Sequence, residues 1–185
     1  MRTPRYFAGQ LIRLRAVEPE DLEVLYTMEN YPENWDISNF TVPYSHYVLR
    51  RYIAEMECDI FADRQLRLMI VRQSDGKAVG TVDLNDFQPM HHRAEVGIAV
   101  MAGCRKQGYA SEALSLLCQY AFGFLRLRQL TAHVTCSNEA SHRLFQSCGF
   151  TDAGLLRQWW HIGGEFQDVY MMQRLADEDD RKKLR

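Results

Sequence analysis

The stretch RAEVGIAVMAGCRKQGYA, Arg93 to Ala110, decides how this chain is read. Its first nine residues, Arg93 to Met101, are mostly apolar, which fits a strand in the middle of a sheet. From Gln107 to Leu125 the apolar residues Ala110, Ala113, Leu114, Leu117, Cys118, Ala121, Phe124 and Leu125 recur at spacings of three and four, the period of an amphipathic helix. The loop between them holds Arg105, Lys106, Gln107, Gly108, Tyr109 and Ala110, in the pattern Arg-x-x-Gly-x-Ala. A helix start leaves backbone N–H groups unpaired, and with the helix dipole these attract an anion. Gly108 lets the backbone approach a phosphate, Ala110 keeps the helix start uncrowded, and Arg105 and Lys106 bring positive charge. By spacing alone, an ordinary turn with solvated basic residues fits equally well. Neither GxGxxG nor GxxxxGK[ST] occurs.

Outward from this segment the periodicities alternate between strand and helix. Gln10 to Ala16 reads as a strand, and Pro19 opens a helix to Glu29 with Glu18, Glu20 and Asp21 near its positive end. Asn30 to Tyr44 is an aromatic loop, and Ser45 caps a second helix to about Ala62. Arg67 to Arg72 and Ala78 to Phe87 form a hairpin about the turn Ser74-Asp75-Gly76-Lys77. After the Gln107–Leu125 helix come a strand, Leu130 to Cys136, and a helix from Asn138 to Cys148, capped by Ser137 and ended by Gly149. Two last strands flank Gly163-Gly164. The expected fold is α/β (α+β): one domain with a mixed central sheet of about six or seven strands flanked by about four helices. It spans residues 8–175, and residues 176–185 form a charged tail.

Composition bounds the function. The chain has 185 residues, 46% of them hydrophobic, and a formal charge of −2, which suits one full core and gives no reason to expect nucleic-acid binding. Apolar stretches fall far below the ~18 residues that span a bilayer, and the N-terminus lacks a signal-peptide core, so a cytoplasmic protein without membrane contact is expected. Five cysteines without a CxxC pair read as small buried apolar residues in a reducing compartment, and no metal spacing is seen. His91 and His92 read as a turn before the strand.

The loop resembles motif A of the GNAT N-acetyltransferase superfamily, Gln/Arg-x-x-Gly-x-Gly/Ala. Arg93 to Ile98 looks like the strand that precedes it. Asn138-Glu139-Ala140-Ser141, Phe145 and Cys148-Gly149-Phe150 look like the following motif, Asn-x-x-Ala/Ser…Gly-Phe. The likeness covers about Leu11 to Leu175 and is closest to the branch of spermidine and ribosomal-protein alanine N-acetyltransferases. It implies an acetyl-CoA-dependent enzyme acting on a primary amine by direct attack in a ternary complex. Ile98 and Val100 would bond the pantetheine arm through their backbone. Arg105 to Ala110 would hold the pyrophosphate, and Asn138 would contact the cofactor nearby. A backbone N–H near Ile98 would polarise the thioester carbonyl.

The chain also departs from the family. Where many relatives carry a Tyr that protonates the leaving sulfur, it has Phe145. A thiol pKa of ~8.5 makes thiolate a tolerable leaving group, and general acid help is typically worth ~10²–10⁴-fold. Ser141, four residues earlier on the same helix face, either substitutes or bonds backbone in the first turn. Glu95 is either the general base or a structural carboxylate paired with Arg93 or a neighbouring-strand cation; Asp83 and Asp86 are second choices. Trp35, Tyr44, Trp159 and Trp160 are candidates for the acceptor pocket, and Asp83 is a further substrate-binding candidate. The tryptophans read equally as core or dimer contacts, which keeps a homodimer open. The stretch Phe40 to Pro43 lacks the acidic residues that polyamine enzymes of the branch carry, and Glu29, Glu33 and Asp36 lie near enough to compensate. Polyamine, other small amine and peptide N-terminus all stay open. A catalytically silent acyl-CoA-binding module is the competing reading, and an assembly role through the aromatic final hairpin is the third.

Overall fold

The computed structural model describes residues 6–31, 42–57, 59–178 and 180. Seven strands build one sheet: β1 (Ile12–Ala16), β2 (Leu66–Arg72), β3 (Ala78–Gln88), β4 (Arg93–Val100), β5 (Gln129–Thr135), β6 (Thr151–Ile162) and β7 (Glu165–Leu175). Their order is β1-β2-β3-β4-β5-β7-β6. All neighbours are antiparallel except β4 and β5, so the sheet is mixed, with β4 at its centre. Five helices lie among the described residues: α1 (Leu22–Glu29), α2 (His46–Glu55), α3 (Ile60–Asp63), α4 (Tyr109–Cys118) and α5 (Glu139–Ser147). A parallel pair needs a crossover connection, and α4 provides it between β4 and β5.

Side-chain alternation along the strands divides the interior in two. On one face Leu68, Ile70, Val82, Ala94, Val96, Leu130 and Ala132 pack with Leu114 and Leu117 of α4 and Phe145 of α5. On the other, Met69 and Val71 pack with Leu25 of α1 and Leu49 of α2. Because β2 is buried on both faces, its sequence is an almost unbroken apolar run.

Several helix boundaries differ from expectation. Pro19 opens a 3-10 turn, Pro19–Asp21, before α1 begins. Ser45 does cap α2, accepting from the Val48 N–H at 3.2 Å. The helix expected to reach Ala62 breaks after Glu55, because Asp59 takes the Phe61 N–H at 2.9 Å and starts α3 instead. After α4 the chain continues as a π-helical turn, Gln119–Phe124. The cap of α5 is Asn138, whose Oδ1 accepts the Ser141 N–H at 3.0 Å; Ser137 instead donates to Gln167 Oε1 at 3.0 Å. Cys118 is buried, whereas Cys104, Cys136 and Cys148 are only partly so, which corrects the reading of the cysteines as uniformly buried. No helix among the described residues is long and apolar enough to cross a membrane.

One side chain fastens the start of the sheet to α4. The Glu112 carboxylate accepts the backbone N–H groups of Gln10, Leu11 and Ile12 at 2.6, 2.8 and 2.9 Å. A Cβ on Gly9 would lie 2.5 Å from Glu112 Cδ, so this close approach needs the glycine. Hydrogen bonds to a charged acceptor contribute about 1.5–3 kcal/mol each, less where solvent competes. Glu112→Ala is expected to cost about 2 kcal/mol, read as a lower urea midpoint with an unchanged m-value.

Candidate active site

The central parallel pair is very short. β4 and β5 are in register only over Arg93 to Glu95 against Gln129 to Thr131. Beyond this β4 stays with β3 and β5 with β7, so the sheet opens between them. Backbone groups of Ile98 to Val100 on the opened side therefore have no β5 partner, and an extended ligand can pair there as an added strand.

A cleft of about 400 Å³ lies along this opening, lined by Ile98, Val100, Arg105, Lys106, Gly108, Tyr109, Ala110, Asn138, Ser141 and Leu144. All the residues read as cofactor contacts are there except Gln107, whose side chain turns to the Gly103 carbonyl at 3.4 Å. Lys106 (φ +62°) and Gly108 (φ +83°) both take the left-handed conformation. Such turns form concave arrays of N–H groups that bind anions. A Cβ on Gly108 would also crowd Leu11 at 3.2 Å. The first helical bond runs from Glu112 N–H to the Gly108 carbonyl, so the donors up to Ser111 have no acceptor within α4. Arg105 Nε donates to the Val100 carbonyl at 3.1 Å, joining the loop to the end of β4. The Tyr109 ring is buried beside Arg72, and the residue lines the cleft.

A second cavity, of about 310 Å³, adjoins the first and shares Ile98, Ala99, Asn138 and Ser141 with it. Its floor is the opposite face of the sheet. Asp83 stands across from Arg67 on one side and Gly97 on the other, while Glu95 lies between Asn85 and Thr131. Gly97 keeps the floor open, since a Cβ there would sit 3.3 Å from Asn85 Nδ2. Arg67 forks onto both Asp83 oxygens at 3.1 Å and reaches Glu29 Oε1 at 2.6 Å. These two carboxylates hold the guanidinium above its ordinary pKa despite burial. Burial pushes the Asp83 carboxyl up, and the two Arg67 bonds oppose that.

Glu95 does not pair with Arg93, which binds Asp86 at 2.7 Å outside the cavity. Its Oε1 instead meets His133 Nδ1 of β5 at 3.0 Å. That bond raises the His133 pKa, with burial acting against it. Ser141 sits where the two cavities meet. The Phe145 ring is buried edge-on against Phe150 at 5.0 Å, with one edge of it lining the second cavity.

Of the acceptor candidates, Asp83 and Trp160 line this cavity. A bulge between Leu156 and Trp160 re-aims the strand: Gln158 takes φ +50° and donates its N–H to Asp168 at 2.8 Å. Trp159 is 56% exposed and does not line it. Tyr44 borders a neighbouring pocket of about 350 Å³ that shares Glu29 and Arg67. Trp35, with Glu33, Asp36, Phe40 and Thr41, lies outside the described residues. Arg67 and His133 were missed as site residues. The signals were a lone cation opposite Asp83 in the hairpin register, and the polar positions of LTAHVT, Thr131, His133 and Thr135, alternating with buried Leu130, Ala132 and Val134.

Comparison with known proteins gives the family. The family model for the acetyltransferase (GNAT) domain matches residues 12–151. The uncharacterized N-acetyltransferase p20 of Bacillus licheniformis is 32% identical over 168 residues, 90% of this chain and 94% of the relative. Spermidine N(1)-acetyltransferase of Vibrio cholerae is 27% identical, over 90% of this chain and 94% of that enzyme. The crystal structure of the V. cholerae spermidine N-acetyltransferase in complex with CoA and spermine superposes with a TM-score of 0.78 at 26% identity, covering 89% of this chain and 95% of that one. The chain belongs to the GNAT acetyltransferase family, and it is an N-acetyltransferase.

The Arg67 network makes a prediction of its own. Arg67→Met would leave two largely buried carboxylates without their cation, a loss of about 3 kcal/mol at neutral pH. Without the guanidinium the folded carboxyl pKa lies above its unfolded value near ~4. The deficit therefore vanishes below that value, grows as pH rises to the folded pKa, and stays constant above it. Urea unfolding of wild type and variant between about pH 3.5 and 8 tests this.

Proposed function

We propose that this enzyme transfers the acetyl group of acetyl-CoA to a primary amine by direct attack in a ternary complex. One observation carries the reading. The cleft that begins at the Arg105–Ala110 loop and the acid-lined cavity on the other face of the sheet meet at Ile98, Ala99, Asn138 and Ser141. A donor in the first and an acceptor in the second would bring their reacting ends to that junction. The alignment would replace a bimolecular encounter by a positioned one.

Three features fit acetyl-CoA. The loop and the start of α4 offer backbone donors and the cations Arg105 and Lys106 for a pyrophosphate. The free edge at Ile98 to Val100 offers strand-like bonds for pantetheine. A backbone N–H near Ile98 would stabilise charge on the thioester oxygen. Asn138 has its Oδ1 engaged in capping α5, so its amide N–H groups are the part available to the donor. Ser141 would give the leaving sulfur a hydrogen bond, the role Phe145 cannot serve.

The acceptor cavity favours a cation. Glu29, Asp83 and Glu95 line it against one guanidinium, Arg67, and the imidazole of His133. A protonated primary amine suits that field, whether on a polyamine, another small amine or a peptide N-terminus. The spermidine activity of the V. cholerae relative supports the polyamine member of that class. Phe145 gives the silent acyl-CoA-binding module its one supporting observation. A homodimer would find contact surface on the last hairpin, where Leu155, Trp159 and Phe166 are exposed.

The test is thiol release from acetyl-CoA with spermidine, spermine, small amines, aminoglycosides and Ala- or Ser-starting peptides. Turnover with at least one amine is expected; cofactor binding with no thiol released by any acceptor would establish the silent module instead. Arg105→Ala should raise the KM for acetyl-CoA about tenfold, the equivalent of one charge-assisted hydrogen bond, with little change in kcat. Ser141→Ala should lower kcat about 10²-fold, and an undiminished kcat would remove Ser141 from the chemistry.

A further inference from the structure

Resting on the transfer reaction above, we propose that His133 is the general base that takes the proton from the acceptor ammonium, and that Glu95 is its positioning partner rather than the base. Glu95 is the carboxylate expected to do this work, yet its Oε1 is engaged by His133 Nδ1 at 3.0 Å. A carboxylate 3.0 Å from one imidazole nitrogen favours the tautomer with the proton on Nδ1 and the lone pair on Nε2. Nε2 has no hydrogen-bond partner among the described residues, and His133 lines the acceptor cavity.

The sheet explains why the ring can occupy that place. His133 follows Thr131 by two residues, as Gly97 follows Glu95, so the parallel register would set His133 beside Gly97. The strands have parted there, and Gly97 has no side chain to fill the gap. On its other side His133 faces Met171 of β7, which is uncharged. The remaining charged groups of the cavity, Asp83, Arg67 and Glu29, are bonded to one another, and Trp160 of β6 is neutral. Among the described residues Glu95 is thus the one charge paired with the imidazole. It makes His133 a stronger base than a free histidine. That narrows the gap to an amine of pKa ~8 to ~10.4.

The proton balance closes. The acceptor arrives as R–NH3⁺, and Nε2 takes one proton from it. The amine lone pair then forms the C–N bond at the thioester carbonyl carbon, the C–S bond breaks, and its electron pair leaves on sulfur. The second nitrogen proton reaches the thiolate through water, giving the free thiol, and the imidazolium returns its proton to solvent.

The experiment is a pH–rate series on the whole enzyme, with acetyl-CoA and the amine that wild type turns over best. Imidazole NMR of wild type and Glu95→Gln accompanies it. His133→Gln should lower kcat about 10²-fold with the KM for acetyl-CoA little changed, and should abolish the acid limb of the profile. Added imidazole should restore part of the rate to His133→Ala, which a merely structural histidine would not allow. Glu95→Gln should move both the acid limb and the His133 NMR titration to lower pH. A His133→Gln profile superimposable on wild type would sink the proposal. So would an acid limb that stays in place in Glu95→Gln, the arm that decides the matter should the His133 variants fail to fold. A wild-type enzyme that releases thiol with no amine overturns the transfer reaction itself, and this assignment with it.

Discussion

The three-residue pairing of β4 with β5 is the constraint on which the rest of the molecule turns. A longer ladder would satisfy the backbone of Ile98 to Val100 internally, close the cleft, and bring Gly97 against the β5 backbone. A shorter one would remove the parallel step that α4 crosses. As it stands, the sheet is continuous at one end of β4 and divided at the other. The division joins the two faces of the sheet, so that a loop on the α4 side and a carboxylate row on the α1 side serve one junction. The opening leaves backbone groups of Ile98 to Val100 without a β5 partner, and a strand-like ligand would supply one.

The proposed donor side was legible in the sequence because it is local. The strand, the loop and the start of α4 are consecutive, and Gly108 marks a left-handed turn that periodicity alone would miss. All seven strands were foreseen for the same reason: alternation and the Asp75-Gly76 turn are short-range signals. The helix ends were less legible, since Ser137, Asn138 and Asp59 all have side chains able to cap, and the choice among them depends on contacts such as Ser137 with Gln167.

The proposed acceptor side is assembled from residues far apart in the chain, and there the sequence carried less. Arg67 and Asp83 meet through hairpin register, Glu95 and His133 through a parallel pair separated by all of α4, and Glu29 joins from the first helix. Glu95 shows the difference well. Its position on β4 and a neighbouring-strand partner were foreseen, but not which residue, because which side chain a strand carboxylate meets depends on the order of strands in the sheet. Phe145 shows it differently: its substitution was plain from sequence, yet only the fold shows the ring packed against Phe150, in the core rather than free in the cavity.

Glu112 has a consequence beyond fastening β1. It stands in the first turn of α4, where a loose carboxylate would occupy the very N–H groups that the proposed phosphate site relies on and would repel an incoming anion. By drawing its charge onto the amides of Gln10, Leu11 and Ile12, the N-terminal segment disarms an internal competitor. Gln10, Leu11 and Ile12 therefore act as a counter-ligand. They leave the helix end to the anion proposed for it.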